Sequence, residues 1–556
     1  MKQKRIKLLC LGLVLALLAA GLVIYIKGQN GSGDIVVLFT NDVHCGIEEN
    51  IGYAGLAAYK KEMEESFDYV TLVDCGDAVQ GDFIGTVSKG AYIVDFMNQL
   101  GYRFAVPGNH EFDYGIPQLS ALIEKADAQY LGCNITYSGS GENALEQIKP
   151  YEIVTYGRTK VAFIGVATPE SHTKSTPTYF MENGEYVYNF AQGEEGKNLY
   201  GCVQQCVDEC EKKGADYVVV LCHLGDAEAS APYTSLELIQ ETEGIDVVLD
   251  GHAHSVIEGK SVKNCKGEEV LLASTGTKLS NIGKLVIEED GALSAELIAD
   301  YPKKDDEMAA YIENIKEQYA KEMNESIATS DIALSCCNEE GIRLVRNRET
   351  AIGNLCADAY KIIGKAEIGL INGGGVRADI PQGNITYADM LAVQPFGNTL
   401  CVVEATGQEI MDLLETACMY TEAEVSADGN ALGESGSFMQ VSGLKFTIDT
   451  GVPSGVVLDE MENFVSAEGE RRVKDLCVLN ENGEYVPVDP ERIYTVASHN
   501  YLLKDGGSSY TGFTDNKFLI SEGISDYQML TQYITEVLDG KLGENYSAPE
   551  GRITVK

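Results

Sequence analysis

Histidine is the scarcest side chain that carries chemistry here: seven residues in a chain of 556. Basic residues are also few, 42 Lys and Arg against 85 Asp and Glu, which leaves a formal charge of −43 and a pI near 4.4. A surface so acidic repels phosphate backbones, so polymeric nucleic acid is excluded as a partner unless a local site reverses the field. The sequence has no CxxC pair, which removes the usual signature of a structural zinc site. Its fifteen cysteines are scattered along the chain, two of them adjacent at Cys336 and Cys337. Cys202, Cys206 and Cys210 recur at helical spacing, where neighbours rarely form disulfides, so most cysteines are read as small buried hydrophobes. There is no internal repeat. The apolar content of 44% is that of a folded globular chain, and the length calls for two or more domains.

The N-terminus stands apart in composition. A basic stretch, Met1 to Lys7, precedes an uncharged run from Leu8 to Ile26. A bilayer core needs about 20 apolar residues, so this run can span one, and positive charge before it places the remainder outside the cytoplasm. Residues 1–33 are therefore read as a signal or anchor segment. The protein is expected to be extracytoplasmic, membrane-anchored at the cell surface or secreted, with the membrane touched by this segment alone.

From Asp34 onward, short apolar runs alternate with amphipathic stretches. The runs Ile35–Phe39, Tyr69–Val73, Val161–Val166, Tyr217–Cys222, Val247–Leu249 and Val270–Ala273 read as buried strands, and Ala54–Glu65 and Gln204–Lys213 as helices. This alternation is that of an α/β domain over residues 34–302. The charged stretch Asp305–Ala328 lacks Gly and Pro and predicts a linking helix within 303–328. A second domain, 329–556, carries a predicted helix at Gly407–Ala417 and strands at Leu400–Glu404, Leu444–Ile448 and Tyr494–Ala497. The acidic stretch Thr421–Ser437 reads as a mobile insertion.

Five of the seven histidines fall just after predicted strands, beside carboxylates and a carboxamide. "TNDVHCG" gives Asp42 and His44, "DCGD" gives Asp77, and "GNHEFDYG" gives Asn109, His110 and Asp113. "CHLGD" gives His223, and "DGHAHS" gives His252 and His254. Any one of these histidines alone would more readily be structural. Together, at equivalent strand ends where α/β folds place their sites, they point to a metal centre. Imidazole with carboxylate and carboxamide oxygen suits zinc, manganese or similar ions. Two such ions share an anionic ligand and hold a water between them as hydroxide. Alternate residues of an extended strand tail point apart, which predicts that His252 and His254 serve different ions. His172 and His499 lie outside these stretches and take the structural reading; Cys45 is counted as packing.

In this order the stretches resemble the calcineurin-like metallophosphatases, and "GNHEFDYG" with the second domain resembles the 5′-nucleotidase family. That family includes UDP-sugar hydrolases and 2′,3′-cyclic-nucleotide phosphodiesterases. The resemblance runs from about Asp34 to Lys556. It implies a four-layer α/β/β/α metallophosphatase domain followed by an α+β substrate-binding domain. By motif, Asp42, His44 and His254 would hold one divalent ion, Asn109, His223 and His252 a second, and Asp77 would bridge them. His110 and Asp113 match the catalytic dyad, with Asp113 orienting the imidazole against developing charge. In the second domain, "RNRETAIGN" supplies Arg348, "INGGGVRADIP" supplies Asn372, Gly374 and Arg377, "VQPFGN" supplies Phe396, and "ASHNYLLKDGGSSY" supplies Tyr501 and Asp505. Phe396 and Tyr501 would stack on the base, and Arg348 and Arg377 would hold phosphate.

Where the family carries Gly-Gly-Asp-Gly, with its aspartate on the ribose hydroxyls, this chain reads Asp505-Gly506-Gly507-Ser508-Ser509. The implied activity is release of phosphate from nucleoside 5′-monophosphates by in-line attack of a metal-bridging hydroxide. Cyclic-nucleotide phosphodiesterase or sugar-nucleotide pyrophosphohydrolase activity at the same site stays open. So, more remotely, does a non-catalytic surface binding protein.

Overall fold

The computed structural model describes residues 32–339, 341–423, 435–459 and 463–556. The expected N-terminal anchor and most of the acidic insertion lie outside the described residues. Among the described residues, no helix is long and apolar enough to cross a membrane.

Two six-stranded sheets stack face to face in the N-terminal half. The first runs Leu293–Ile298, Ile282–Ile287, Ser32–Thr40, Phe67–Asp74, Phe104–Ala105 and Gln129–Tyr130, in that spatial order. The second runs Val256–Lys263, Glu269–Thr275, Val247–Leu249, Tyr217–Cys222, Thr159–Val166 and Tyr151–Tyr156. Side chains alternate across each strand, so continuous apolar runs mean that both faces are covered. Ile35, Val37 and Phe39 meet Val219, Leu221 and Leu249 between the sheets. Val36 and Leu38 face outward onto Ile93, Phe96, Leu119 and Leu122 of the helices Ala91–Leu100 and Ile116–Lys125. On the far side, Val218 and Val220 pack on Leu199, Val203, Cys206 and Cys210 of the helix Lys197–Lys212. The layers are thus α/β/β/α. All fourteen described cysteines are free thiols, and Cys206 and Cys210 are buried among aliphatic side chains.

The linking helix spans Asp306–Met323, capped by Asp305, whose side chain accepts from Met308 N. Its Met308, Ile312 and Ile315 bury against the first helical layer. The helix was expected to reach Ala328. It stops five residues earlier because Asn324 occupies the C-cap and the β-branched stretch Ser326–Ser330 pairs as a strand with Gly383–Thr386.

The C-terminal half centres on a five-stranded sheet: Met439–Ser442, Ile368–Asn372, Ile493–His499, Leu400–Thr406 and Phe518–Ile520. A four-stranded sheet containing Leu444–Ile448 lies beside it, and the helix Gly407–Ala417 packs between the two sets of strands. The two halves meet through the helix Asp526–Gln532. The Tyr527 ring stacks on Phe83 at 4.3 Å, and Gln528 Nε2 donates to Thr86 Oγ1 at 2.9 Å.

Candidate metal centre and substrate cavity

The strands Ser32–Thr40, Phe67–Asp74 and Phe104–Ala105 run parallel in one sheet, and Tyr217–Cys222 and Val247–Leu249 run parallel in the other. Their C-terminal ends therefore open on one edge of the sandwich. Two groups of side chains converge there: Asp42, His44 and His254, and Asp77, His223 and His252, each with ligand atoms within 4.8 Å of one another. Asp77 lies between them, its Oδ2 2.9 Å from His223 Nε2 and 3.9 Å from His44 Nε2. Asp42 Oδ1 is similarly placed, 3.5 Å from His254 Nε2 and 4.0 Å from His223 Nε2.

The backbone bends sharply to deliver these residues. Asp42, His44, Asp77, His252 and His254 all have positive φ, between 45° and 76°. Left-handed backbone costs a non-glycine residue about 1–3 kcal/mol and persists where the surroundings enforce it. Here they do so by hydrogen bonding: Asp42 N donates to Gly76 O, His44 N to Asp77 O, and His252 N to the Asp42 carboxylate. Glu111, buried, accepts from the backbone N–H of Gly108, Asp77, Ala78 and Val79 and so fixes the loop carrying Asp77. The expected extended tail at His252 and His254 is absent. The chain leaves the strand after Leu249, and the two rings part because each residue is in a left-handed bend.

The donor set fits cations. His223 Nδ1 lies 2.7 Å from Cys75 O and donates to it, which leaves an Nε2 lone pair facing Asp77 Oδ2 without a hydrogen bond of proper geometry. An imidazole nitrogen and a carboxylate oxygen held face to face at 2.9 Å call for positive charge between them, a proton or a metal ion. Asn109 Oδ1 is likewise buried and unpartnered while its Nδ2 donates to Lys174 O. His44 Nδ1 is committed to Gln80 O, freeing its Nε2. Beside these groups, His110 Nδ1 lies 2.7 Å from Asp113 Oδ2, at a short 3₁₀ turn, His110–Phe112. Burial alone would lower the His110 pKa, but Asp113 and Asp77 outweigh it and raise the imidazole to about 10. Cys45 is buried, and burial pushes its thiol well up, consistent with packing. His172 is structural, stacked on Tyr186 with Nε2 on Tyr188 O.

A second cavity, about 400 Å³, lies in the C-terminal half. Asn372, Gly374, Arg377, Phe396 and Tyr501 line it, as the motifs suggested. Phe396 and Tyr501 are 58% and 43% exposed, so neither is a core aromatic. The Arg377 guanidinium lies 5.6 Å from the Phe396 ring centre. Two expected residues do not line it. Arg348 turns away, its guanidinium donating to the carbonyls of Asn347, Glu422 and Ala423; Arg346, two residues earlier, lines the cavity instead. Asp505 accepts from Asn500 Nδ2 outside the lining. Sequence reasoning passed over Arg346 and Asn398 and gave His499 a structural reading, which its place in the lining corrects. His499 lines the cavity and donates from Nε2 to Asn372 Oδ1 at 3.0 Å, its Nδ1 accepting from Leu502 N. Nothing in the local sequence separates Arg346 from Arg348, since both flank the same asparagine.

The first sheet pair and its histidine–carboxylate edge define a calcineurin-like metallophosphoesterase. Residues 35–256 match the calcineurin-like phosphoesterase family and residues 326–515 the 5′-nucleotidase C-terminal domain. The chain belongs to the 5′-nucleotidase family, and it is a metal-dependent phosphoester hydrolase. The trifunctional nucleotide phosphoesterase protein YfkN of Bacillus subtilis is 27% identical over 94% of this chain, which spans 35% of that protein's length. The 5′-nucleotidase of Bos taurus is 26% identical, with 94% of this chain and 90% of that protein covered. Among solved structures, the 5′-nucleotidase precursor of Thermus thermophilus aligns with a TM-score of 0.51 at 27% identity, covering 94% of this chain and 99% of that one. The NAD nucleotidase of Haemophilus influenzae shares the fold with a TM-score of 0.72 at 18% identity, over 94% and 99% of the two chains.

Proposed function

We propose that this protein is an exported nucleotide phosphohydrolase that releases phosphate from nucleoside 5′-monophosphates. One loop carries the argument. Phe396 and Asn398 line the 400 Å³ cavity, whereas Gly397 and Thr399 line a cavity of about 200 Å³ walled by His44, His110 and His254. The two cavities thus share this loop, and in this reading a base stacked on Phe396 would direct its phosphate towards the metal centre.

In this reading Asp42, His44 and His254 would hold one divalent ion and Asn109, His223 and His252 the other, with Asp77 shared by the two groups. When bound, the ions neutralise phosphoryl oxygens and activate water, whichever of zinc, manganese or a similar metal is native. The protein's own groups do the rest. His110, kept protonated by Asp113, donates to the phosphoryl or departing oxygen as charge builds on it. Arg346 and Arg377 supply positive charge at the substrate cavity, and Phe396 and Tyr501 offer π faces that any base can use. The basic Met1–Lys7 and the uncharged run behind it support export.

One observation favours a second reading. Among the described residues, no carboxylate lines the substrate cavity, and Ser508 stands where the family's ribose-binding aspartate would be. A site without that acidic contact tolerates a ribose whose hydroxyls are esterified, as in a 2′,3′-cyclic nucleotide. Hydrolysis of AMP, a 2′,3′-cyclic nucleotide and a UDP-sugar, before chelation, after it and after added Mn²⁺ or Zn²⁺, tests both. The expected result is phosphate release from AMP that chelation stops and metal restores. Turnover indifferent to both treatments, or none with any of the three substrates, would sink the proposal.

A further inference from the structure

A short stretch after the strand Thr159–Val166 holds parts of the site that no motif connects. Glu170 Oε2 accepts from His252 Nε2 at 2.8 Å. Lys174 O accepts from Asn109 Nδ2 at 2.9 Å. Ser175 Oγ donates to Asp113 Oδ1 at 2.8 Å. Between them, Thr173 O accepts from Ser521 N, of the C-terminal half, at 2.7 Å.

These contacts settle which atoms remain for a metal. An asparagine can present nitrogen or oxygen, and an imidazole either of its nitrogens. With Nδ2 committed to Lys174 O, Asn109 is left with Oδ1, the buried atom that lacks a partner. With Nε2 committed to Glu170, His252 is left with Nδ1. Two of the three unshared ligands of one ion are thus oriented by the same stretch, and the third, His223, rests on Cys75 O. The other group depends on different supports, Gln80 O for His44 and Asn41 Nδ2 for Asp42.

The stretch is itself held firmly. Thr168, fully buried, accepts from Glu170 N through its side chain and from Ser171 Oγ through its carbonyl. Lys174 N returns to Glu170 O at 2.7 Å, and Lys174 Nζ lies 3.4 Å from the Glu170 carboxylate, which keeps that carboxylate charged to accept from His252.

We propose that Glu170–Ser175 is a positioning strap for one of the two metal sites and for the dyad. Glu170 is the outer carboxylate of His252, Ser175 steadies Asp113, and the Ser521–Thr173 contact ties this half of the centre to the second domain. The inference rests on the site reading above. It makes the two metal sites unequal: one is built wholly within its strand ends, the other leans on a strap that also touches the substrate domain.

Mn²⁺ binding to metal-stripped full-length protein, followed by equilibrium dialysis, tests it without any substrate. Wild type should bind two ions. Glu170→Ala should keep one site near wild-type affinity and weaken the other by about 10–100-fold, the range for loss of an outer-sphere partner. Glu170→Gln, which keeps an acceptor for Nε2–H, should recover most of that loss. Ser175→Ala should leave both affinities unchanged and lower kcat roughly tenfold with KM unmoved. Thermal melting of the stripped proteins should be alike; if Glu170→Ala does not fold, Glu170→Asp, one methylene shorter, serves the same comparison. Unchanged affinities in the alanine variant, or equal losses at both sites, would overturn the strap alone. Fewer than two ions in wild type would overturn the reading of the centre and this inference with it.

Discussion

The metal centre and the substrate cavity are built on opposite plans. At the centre Asp42, Asp77, Asn109 and His223 are at most 2% exposed, the backbone is forced into left-handed bends, and ligand atoms are oriented by carbonyls or carboxylates. In the cavity the two stacking candidates are half exposed, and the walls come from segments between Arg346 and Tyr501 that are far apart in sequence. A centre of the first kind is shaped before its cations arrive and stores strain to stay so. A cavity of the second kind gains its apolar contacts when a ligand completes them. Changes at the centre should therefore be read in metal content and kcat, and changes at the cavity in KM.

Asp77→Ala would break the comparison most forcefully. Asp77 stands between the two ligand groups and also accepts from His110 N. Its loss should remove metal and lower kcat by more than the roughly 10²–10³-fold typical of one lost transition-state donor. Metal analysis beside steady-state rates checks this, and retention of both ions with near-normal turnover would refute it. The effect at the cavity should be smaller and of another kind. Phe396→Ala should raise KM by about 5–150-fold, the equivalent of 1–3 kcal/mol of stacking, with kcat and metal content held. The two arginines sharpen the point: Arg346→Ala should behave like Phe396→Ala, and Arg348→Ala should change KM far less.

Legibility in the sequence followed the same division. Strands such as Tyr217–Cys222 and Val247–Leu249 were visible because burial on both faces writes an uninterrupted apolar run. The convergence of Asp42, Asp77, His223 and their partners was visible because parallel strands deliver every tail to one edge. Local backbone was not: alternation along an extended tail was the wrong reason for His252 and His254 to diverge, since hydrogen bonds between distant loops bend them. Arg346 could not be told from Arg348 because the direction of a side chain in a loop is set by what packs behind it. Glu170, Lys174 and Ser175 carried no signal at all. All three of their contacts to the site are with residues more than sixty positions away, and one of these uses a backbone carbonyl, which has no residue identity to read.

The smallest expected effect lies where the two regions join. Asp526 begins the helix that docks on the first domain, and Asn398, a wall of the substrate cavity, donates to its Oδ2 while Asp526 N donates to Asn398 O. Burial is the main influence on this carboxyl and, despite opposing hydrogen bonds from Tyr527 N and Asn398, raises it from 3.8 to about 7. A carboxyl whose folded pKa lies above its unfolded one stabilises the fold at low pH and loses that contribution as pH rises through the folded value. Wild type should therefore lose stability between about pH 4 and 7 through this group, whereas Asp526→Asn, which cannot ionise, should not. The melting temperature of the variant relative to wild type should rise between pH 5.5 and pH 8 by the equivalent of on the order of 2 kcal/mol, a shift of about 2 °C for a chain of this length. A difference that stays constant across that range would mean that Asp526 is already ionised in the folded protein. The junction would then be a charged hinge with water access, like the cavity wall beside it, and not a buried extension of the rigid first domain.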